Sequence, residues 1–122
     1  MSENSISSWC DITVEDATSL KNFYVKVMGW TAEAFNMGDY EDYIMKDAQG
    51  NAIGGICHAK GSNKSMPASW IQYFTVADLA ESLKHVVANG GEQIGDIRSH
   101  GDAQFCVIKD PSGAFSALYQ AS

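Results

Sequence analysis

Tyr43-Ile44-Met45-Lys46-Asp47-Ala48-Gln49-Gly50 and Cys106-Val107-Ile108-Lys109-Asp110-Pro111-Ser112-Gly113 are two copies of one pattern, 63 positions apart. In each, three strand-type residues run into Lys-Asp-x-x-Gly, and another strand-like run follows. Asp at the start of a tight turn and Gly at its end suit a β-turn, so each copy predicts a strand, a turn and a returning strand. A second pair, Ile12-Thr13-Val14-Glu15-Asp16 and Phe74-Thr75-Val76-Ala77-Asp78, recurs at an offset of 62. Near-equal offsets in matching contexts identify an internal duplication.

Each copy extends outward in the same way. In the first, Trp9–Val14 alternates as a strand. Asp16 caps a helix with Leu20, Phe23, Tyr24 and Val27 along one face, and Gly29 is placed to close it. Strands over Trp30–Met37, Asp42–Lys46 and Ala52–Ala59 follow, separated by turn residues. In the second, Trp70–Val76 is the strand. Asp78 is the cap, with Glu81 at capping-box spacing. Leu79, Leu83, Val86 and Val87 form the helical stripe, and Asn89-Gly90-Gly91 ends it. Strands over Gln93–Arg98, Ala103–Lys109 and Ala114–Tyr119 complete the copy. The chain therefore reads as an α+β fold of two tandem βαβββ modules, 7–59 and 68–120. A linker at 60–67 joins them within a single domain.

Composition narrows the function classes. Eight Lys and Arg against fifteen Asp and Glu leave a net charge of −7, which repels phosphate backbones and anionic lipid. Nucleic acid and membrane surfaces are not expected partners. No apolar run approaches the ~20 residues of a membrane span, and Met1–Ser8 lacks the basic and apolar regions of a signal peptide. Cys10, Cys57 and Cys106 are odd in number and widely spaced, which suits reduced thiols and a cytoplasmic location. Gly54-Gly55 and Gly90-Gly91 lack the spacing of a phosphate-binding loop, and Gly54-Gly55 instead allows a bulge or a close approach of backbone or ligand. Asp39, Glu41 and Asp42 read as a solvated hairpin tip, and His85 and His100 as exposed.

The modules carry Phe23-Tyr24-Val25-Lys26-Val27-Met28-Gly29-Trp30, Trp70-Ile71-Gln72-Tyr73-Phe74-Thr75-Val76-Ala77-Asp78 and Asp110-Pro111-Ser112-Gly113-Ala114-Phe115. In this order they resemble the vicinal oxygen chelate superfamily, which includes glyoxalase I, bleomycin-resistance proteins and extradiol dioxygenases. The resemblance implies a cupped, partly open mixed sheet (the glyoxalase/bleomycin-resistance fold) whose cup holds an oxygen-bearing ligand and, in the metal enzymes, a divalent ion. It places metal ligands five residues before the Val of each opening strand and seven residues after each hairpin Asp. Those positions are Trp9, Gly54, Ile71 and Ala117. None of these side chains offers a nitrogen, oxygen or sulfur donor suited to such an ion, so no metal and no cofactor is expected.

Strand alternation from those four positions puts Trp9, Asp11, Thr13, Ile56, His58, Ile71, Tyr73, Thr75, Phe115 and Tyr119 in the cup. Aromatic walls with a few polar groups suit an organic ligand. Asp11 and His58 have acid–base chemistry, and Asp11 facing the imidazole would orient it. By resemblance to bleomycin-resistance-type sequestering proteins, the leading expectation is metal-independent binding of a small aromatic or amphipathic molecule between the modules. One alternative is a glyoxalase-type lyase or isomerase using Asp11 and His58 or atypical metal ligands. Another is a non-catalytic assembly subunit whose cup its own side chains fill. Unpaired outer strands and the habit of the resembled family lead to the expectation of a homodimer.

Overall fold

A computed structural model of the chain describes residues 5–60 and 66–121. Its elements are β1 (Ser5–Val14), α1 (Ala17–Met28), β2 (Thr31–Asn36), β3 (Glu41–Lys46), β4 (Ala52–His58), β5 (Ile71–Thr75), α2 (Leu79–Ala88), β6 (Glu92–His100), β7 (Ala103–Lys109) and β8 (Phe115–Gln120). Every expected element is present in the expected order. Of the expected linker, residues 61–65 lie outside the described residues. Contacts divide the chain into two compact units. One is Trp9–Trp70, and the other is built on β5 to β8 and takes in the start of β1 up to Ser8.

The two quoted stretches make the same turn twice. Asp47 Oδ1 accepts from the backbone N–H of Gln49 (3.0 Å) and of Asn51 (2.9 Å). Asp110 Oδ1 accepts from the N–H of Ser112 (2.9 Å) and Ala114 (3.1 Å), and from the Ser112 hydroxyl. Hydrogen bonds to the ionised form hold both carboxyls below their ordinary range, led by the Asn51 N–H at Asp47 and the Ser112 hydroxyl at Asp110.

In the first unit the strand order is β2-β3-β4-β1, with β1 and β4 parallel and the other pairs antiparallel. Asp16 caps α1 by accepting from the Ser19 N–H at 3.0 Å, and Gly29 closes it at φ 69°, its N–H donating to the Val25 carbonyl. Ala17 is fully buried, and Leu20, Tyr24 and Val25 pack with it over Ile12, Tyr43, Met45 and Ile56. Phe23 and Val27, expected on the inner stripe, are 54% and 59% exposed. The close seating of small Ala17 turns the i, i+3, i+7 row of Ala17, Leu20 and Tyr24 inward, which carries Phe23 and Val27 round the side.

One residue changes the orientation of β4. Met45 pairs with Gly54 but Lys46 pairs with Ala52, so Ile53 is an extra residue, a β-bulge. The matching hairpin of the second unit has none: Lys109, Ile108 and Val107 pair with Phe115, Ser116 and Ala117 in unbroken succession. Side chains alternate, so one extra residue moves the rest of a strand to the other face. Ile56 thus pairs with Ile12 and Tyr43 in the core beneath α1, and His58 pairs with Val14. This corrects the expected orientation of Ile56 and His58. Gly55 and Cys57 take the face of Asp11 and Thr13 instead.

The second unit has the order β6-β7-β8-β5, with β5 and β8 parallel. Asp78 caps α2 by accepting from the Glu81 N–H at 3.1 Å, and the Leu79 N–H donates to Gln120 Oε1 at 2.7 Å. Leu79 and Leu83 are buried over Val76, Cys106, Ile108 and Leu118, with Phe74 and Val86 packed against them. Val87, expected on this stripe, is 64% exposed. Alternation in β5 and β8 is as expected. Tyr73 pairs with Ala117 and Thr75 with Tyr119, on the face turned from α2.

The strand pairing at Gly54 is a direct test of this register. A Cβ at Gly54 would run into the Cys10 carbonyl oxygen, whereas one at Gly55 would meet the Asp11 Cβ and the Trp9 ring at 3.4 Å and the Tyr43 carbonyl oxygen at 3.7 Å, with no clash. Gly54→Ala is expected to lower stability by ~1–3 kcal/mol in urea unfolding, and Gly55→Ala by clearly less. Equal losses would contradict the register.

Candidate functional site

The face of the first sheet turned from α1 carries Trp9, Asp11 and Thr13 from β1, Gly55 and Cys57 from β4, and Asp42 and Ile44 from β3. Gly55 leaves room for an indole: its Cβ position is 3.4 Å from the Trp9 ring and 3.4 Å from the Asp11 Cβ. The Trp9 Nε1–H donates to Asp11 Oδ2 at 3.2 Å, which ties the ring down across the strand. Thr13 is buried beside them.

Asp42 is only 9% exposed, so it is not part of a solvated hairpin tip as the sequence suggested. Its Oδ1 accepts from the His58 backbone N–H at 2.8 Å. The His58 ring is held at the start of β3, with Nδ1 2.8 Å from the Glu41 carbonyl oxygen and 3.6 Å from Asp42 Oδ1. Tyr40 packs against it with ring centroids 5.6 Å apart. The register therefore separates His58 from Asp11. The expected pairing of the two as base and orienting carboxylate is not formed, because the bulge has turned β4 over.

Cys57 occupies the place expected for His58. Burial, then the charges of Asp42 and Asp11, push its thiol up to about 12. Such a thiol stays protonated near neutrality and is no nucleophile. Neither Cys57 nor Asp42 was singled out for this face from sequence. The signal was present in the two repeat offsets, because strands that pair in parallel must share one offset between the copies.

In the second unit, the face turned from α2 carries Ile71, Tyr73 and Thr75 from β5, and Phe115, Ala117 and Tyr119 from β8. These are the residues the sequence assigned there. Phe105, paired with Tyr119, and Arg98, paired with Phe105, join them from β7 and β6. Sequence reasoning missed both, since it started from the opening and closing strands alone. The Tyr73 and Phe105 rings lie 6.0 Å apart at 46°, and Lys109 Nζ stands 5.8 Å over the Phe115 ring. His85 and His100 are exposed, as expected, with His100 at the end of β6 rather than in the turn.

The positions at which the resembled metal enzymes carry ligands also need one correction. Ala117 pairs with Tyr73, and the residue that pairs equivalently with Asp11 is Gly55, not Gly54. The set becomes Trp9, Gly55, Ile71 and Ala117, which still offers no donor side chain. Among the described residues no group of three His, Cys, Asp or Glu is placed to hold a metal. The side chains at these positions do not fit that ion. Among the described residues, no helix is long and apolar enough to cross a membrane.

Comparisons with known proteins agree with this architecture. A family model described as Glyoxalase/Bleomycin resistance protein/Dioxygenase superfamily matches residues 6–115. The anthracycline biosynthesis protein DnrV of Streptomyces peucetius is 25% identical over 126 residues, a match covering 93% of this chain and 46% of that protein. The chain thus spans about half the length of this curated relative. Among solved structures, a superfamily member from Vibrio splendidus 12B01 aligns with TM-score 0.64 and 12% identity, covering 96% of this chain and all of that one. Methylmalonyl-CoA epimerase from Mycobacterium tuberculosis aligns with TM-score 0.62 and 13% identity, covering 100% of this chain and 91% of that chain. At these identities the structural likeness speaks for the fold alone.

The half-buried Cys57 thiol gives a test of the first face. In folded protein at pH 8, Cys57 is expected to resist a disulfide-exchange reagent such as DTNB, and to react only after denaturation. Peptide mapping showing Cys57 modified in the folded chain as fast as a free cysteine would refute its placement between Asp11 and Asp42.

Proposed function

Because the chain belongs to the Glyoxalase/Bleomycin resistance protein/Dioxygenase superfamily, we propose that it binds a small aromatic or amphipathic organic molecule without a metal held by the protein. The ligand sits against the sheet faces turned from the helices. The observation that carries this reading is the makeup of those faces. Half-buried Tyr73, Phe105, Phe115 and Tyr119 gather around Ala117 in the second unit, where a metal enzyme of the family would need a donor. Trp9, laid over Gly55 and tied to Asp11, supplies a comparable platform in the first.

The chemistry on offer is recognition. Aromatic rings bury a planar ligand by stacking or edge contact, each well-placed pair contributing about 0.5–1.5 kcal/mol beyond the area buried. A net charge of −7 raises the local concentration of cationic ligands. A relative named for anthracycline biosynthesis makes an anthracycline, a planar aromatic ring system bearing an amino sugar, a fitting probe. The proposal includes pairing of two chains through edge strands β2 or β6, to be checked by light scattering. A monomer at all concentrations would remove that part.

Titration of daunorubicin and of bleomycin, followed by ligand fluorescence and by melting temperature, tests the binding. At least one is expected to bind saturably and raise the melting temperature. Tyr119→Ala is expected to weaken that binding about ten-fold, the size of one lost aromatic contact. Val87→Ala, on the exposed side of α2, should leave it unchanged. Binding that ignores Tyr119→Ala would move the ligand elsewhere.

A further inference from the structure

We propose that the first module has a second binding pocket, on the helix side of its sheet, that takes a single-ring aromatic hydrocarbon or an apolar molecule of similar size. A pocket of about 210 Å³ lies there, lined by Cys10, Trp30, Met45, Ile53, Gly54 and Trp70. It is on the opposite side of the sheet from Trp9, Asp11 and Gly55, so it is separate from the surface proposed above.

The volume exists because of a backbone constraint. β1 and β4 approach so closely that a Cβ at Gly54 would run into the Cys10 carbonyl oxygen, so no larger residue fits position 54. The side chain that would otherwise fill the space is therefore missing. The Trp70 ring stands 3.7 Å from the same Cβ position and forms one wall instead. Ile53, the bulge residue, borders the gap.

The walls are fixed by their own contacts. Tyr24 stacks on Trp30 at 5.6 Å and meets Trp70 edge-on at 5.4 Å. The Trp70 Nε1–H donates to the Tyr24 hydroxyl at 3.1 Å, so that donor is already engaged. Trp30 and Trp70 stand 6.5 Å apart at 86°, giving the pocket two indoles at right angles. Perpendicular rings favour a third ring in edge-to-face contact. The remaining lining is a methionine, an isoleucine, a glycine and the Cys10 thiol, whose pKa is raised by burial and then by the Asp11 charge. An apolar cavity of about 150 Å³ is already large enough to hold benzene. A hydroxylated ring would give up its hydrogen bonds to water and find little to replace them, so the pocket selects for hydrocarbons.

The test is a titration of the full chain, labelled with methyl-¹³C methionine, with toluene and then with phenol in sealed tubes. Toluene is expected to shift the Met45 methyl signal saturably, leaving exposed Met28 and Met37 in place, and phenol to bind at least ten-fold more weakly. Ile53→Phe, which fills the pocket, should abolish the shift, and Tyr119→Ala should leave it intact. If Ile53→Phe does not fold, toluene protection of Cys10 from a small methylthiolating reagent takes its place. No saturable Met45 shift up to the solubility of toluene, or no protection of Cys10, would overturn the proposal. Equal affinity for phenol would overturn its selectivity.

Discussion

Parallel pairing of the opening and closing strands is the constraint on which each module depends. In the first, β1 lies beside β4 with Ile12 against Ile56, and in the second β5 lies beside β8 with Phe74 against Leu118. Parallel neighbours cannot be joined by a tight turn, so the chain between them must make a helix and two further strands. The helix is short enough to be marginal by itself, and packing holds it in place. Each buried Ile, Met or Leu beneath it contributes about 1.5–3 kcal/mol. Once that pairing is set, every side chain of the sheet faces either the helix or away from it. The outward residues are the ones that packing under the helix does not use.

The two modules use that free face differently. In the first it is acidic around Trp9: Asp42 accepts from the His58 backbone N–H, and the half-buried Cys57 thiol lies close to Asp42 and Asp11. Burial first, and then the two carboxylates, push that thiol up and favour its neutral form. In the second the face is aromatic, with Arg98 and Lys109 as its cations. A duplicated backbone has thus been given one polar and one aromatic surface. At the positions where a relative would carry metal ligands, both modules present residues without donors.

Much of this was legible before any coordinates. The Lys-Asp-x-x-Gly repeat marked both hairpins, because Asp47 and Asp110 make the same turn through the same kind of hydrogen bonds. Asp16, Gly29 and Asp78 marked the helix ends, because capping is a local interaction. Orientation was harder. In β8 the side chains fell where alternation put them, but in β4 the extra Ile53 reversed Ile56, Cys57 and His58. The paired glycines Gly54-Gly55 signal a bulge or a close backbone approach, and both are there, but they do not say that Ile53 is the extra residue or that the strand turns over. The trace of that reversal is arithmetic. β1 and β5 match at an offset of 62 and the hairpins at 63, and β4 must return to 62 to pair with β1. Phe105 and Arg98 were missed because tertiary neighbours in β7 and β6, not local pattern, place them beside Tyr119.

The most direct test of metal-independent recognition is a binding isotherm for the tightest organic ligand, measured on chelator-treated protein and repeated with one equivalent of Ni²⁺, Zn²⁺, Mn²⁺ or Fe²⁺. Elemental analysis of the same samples would accompany it. The same Kd in every sample, with bound metal below about a tenth of an equivalent, is the result expected of sites whose ligand positions are Trp9, Gly55, Ile71 and Ala117. Binding that appears only as metal approaches one equivalent would contradict the account, and would place a metal-ligating set among residues assigned here to recognition.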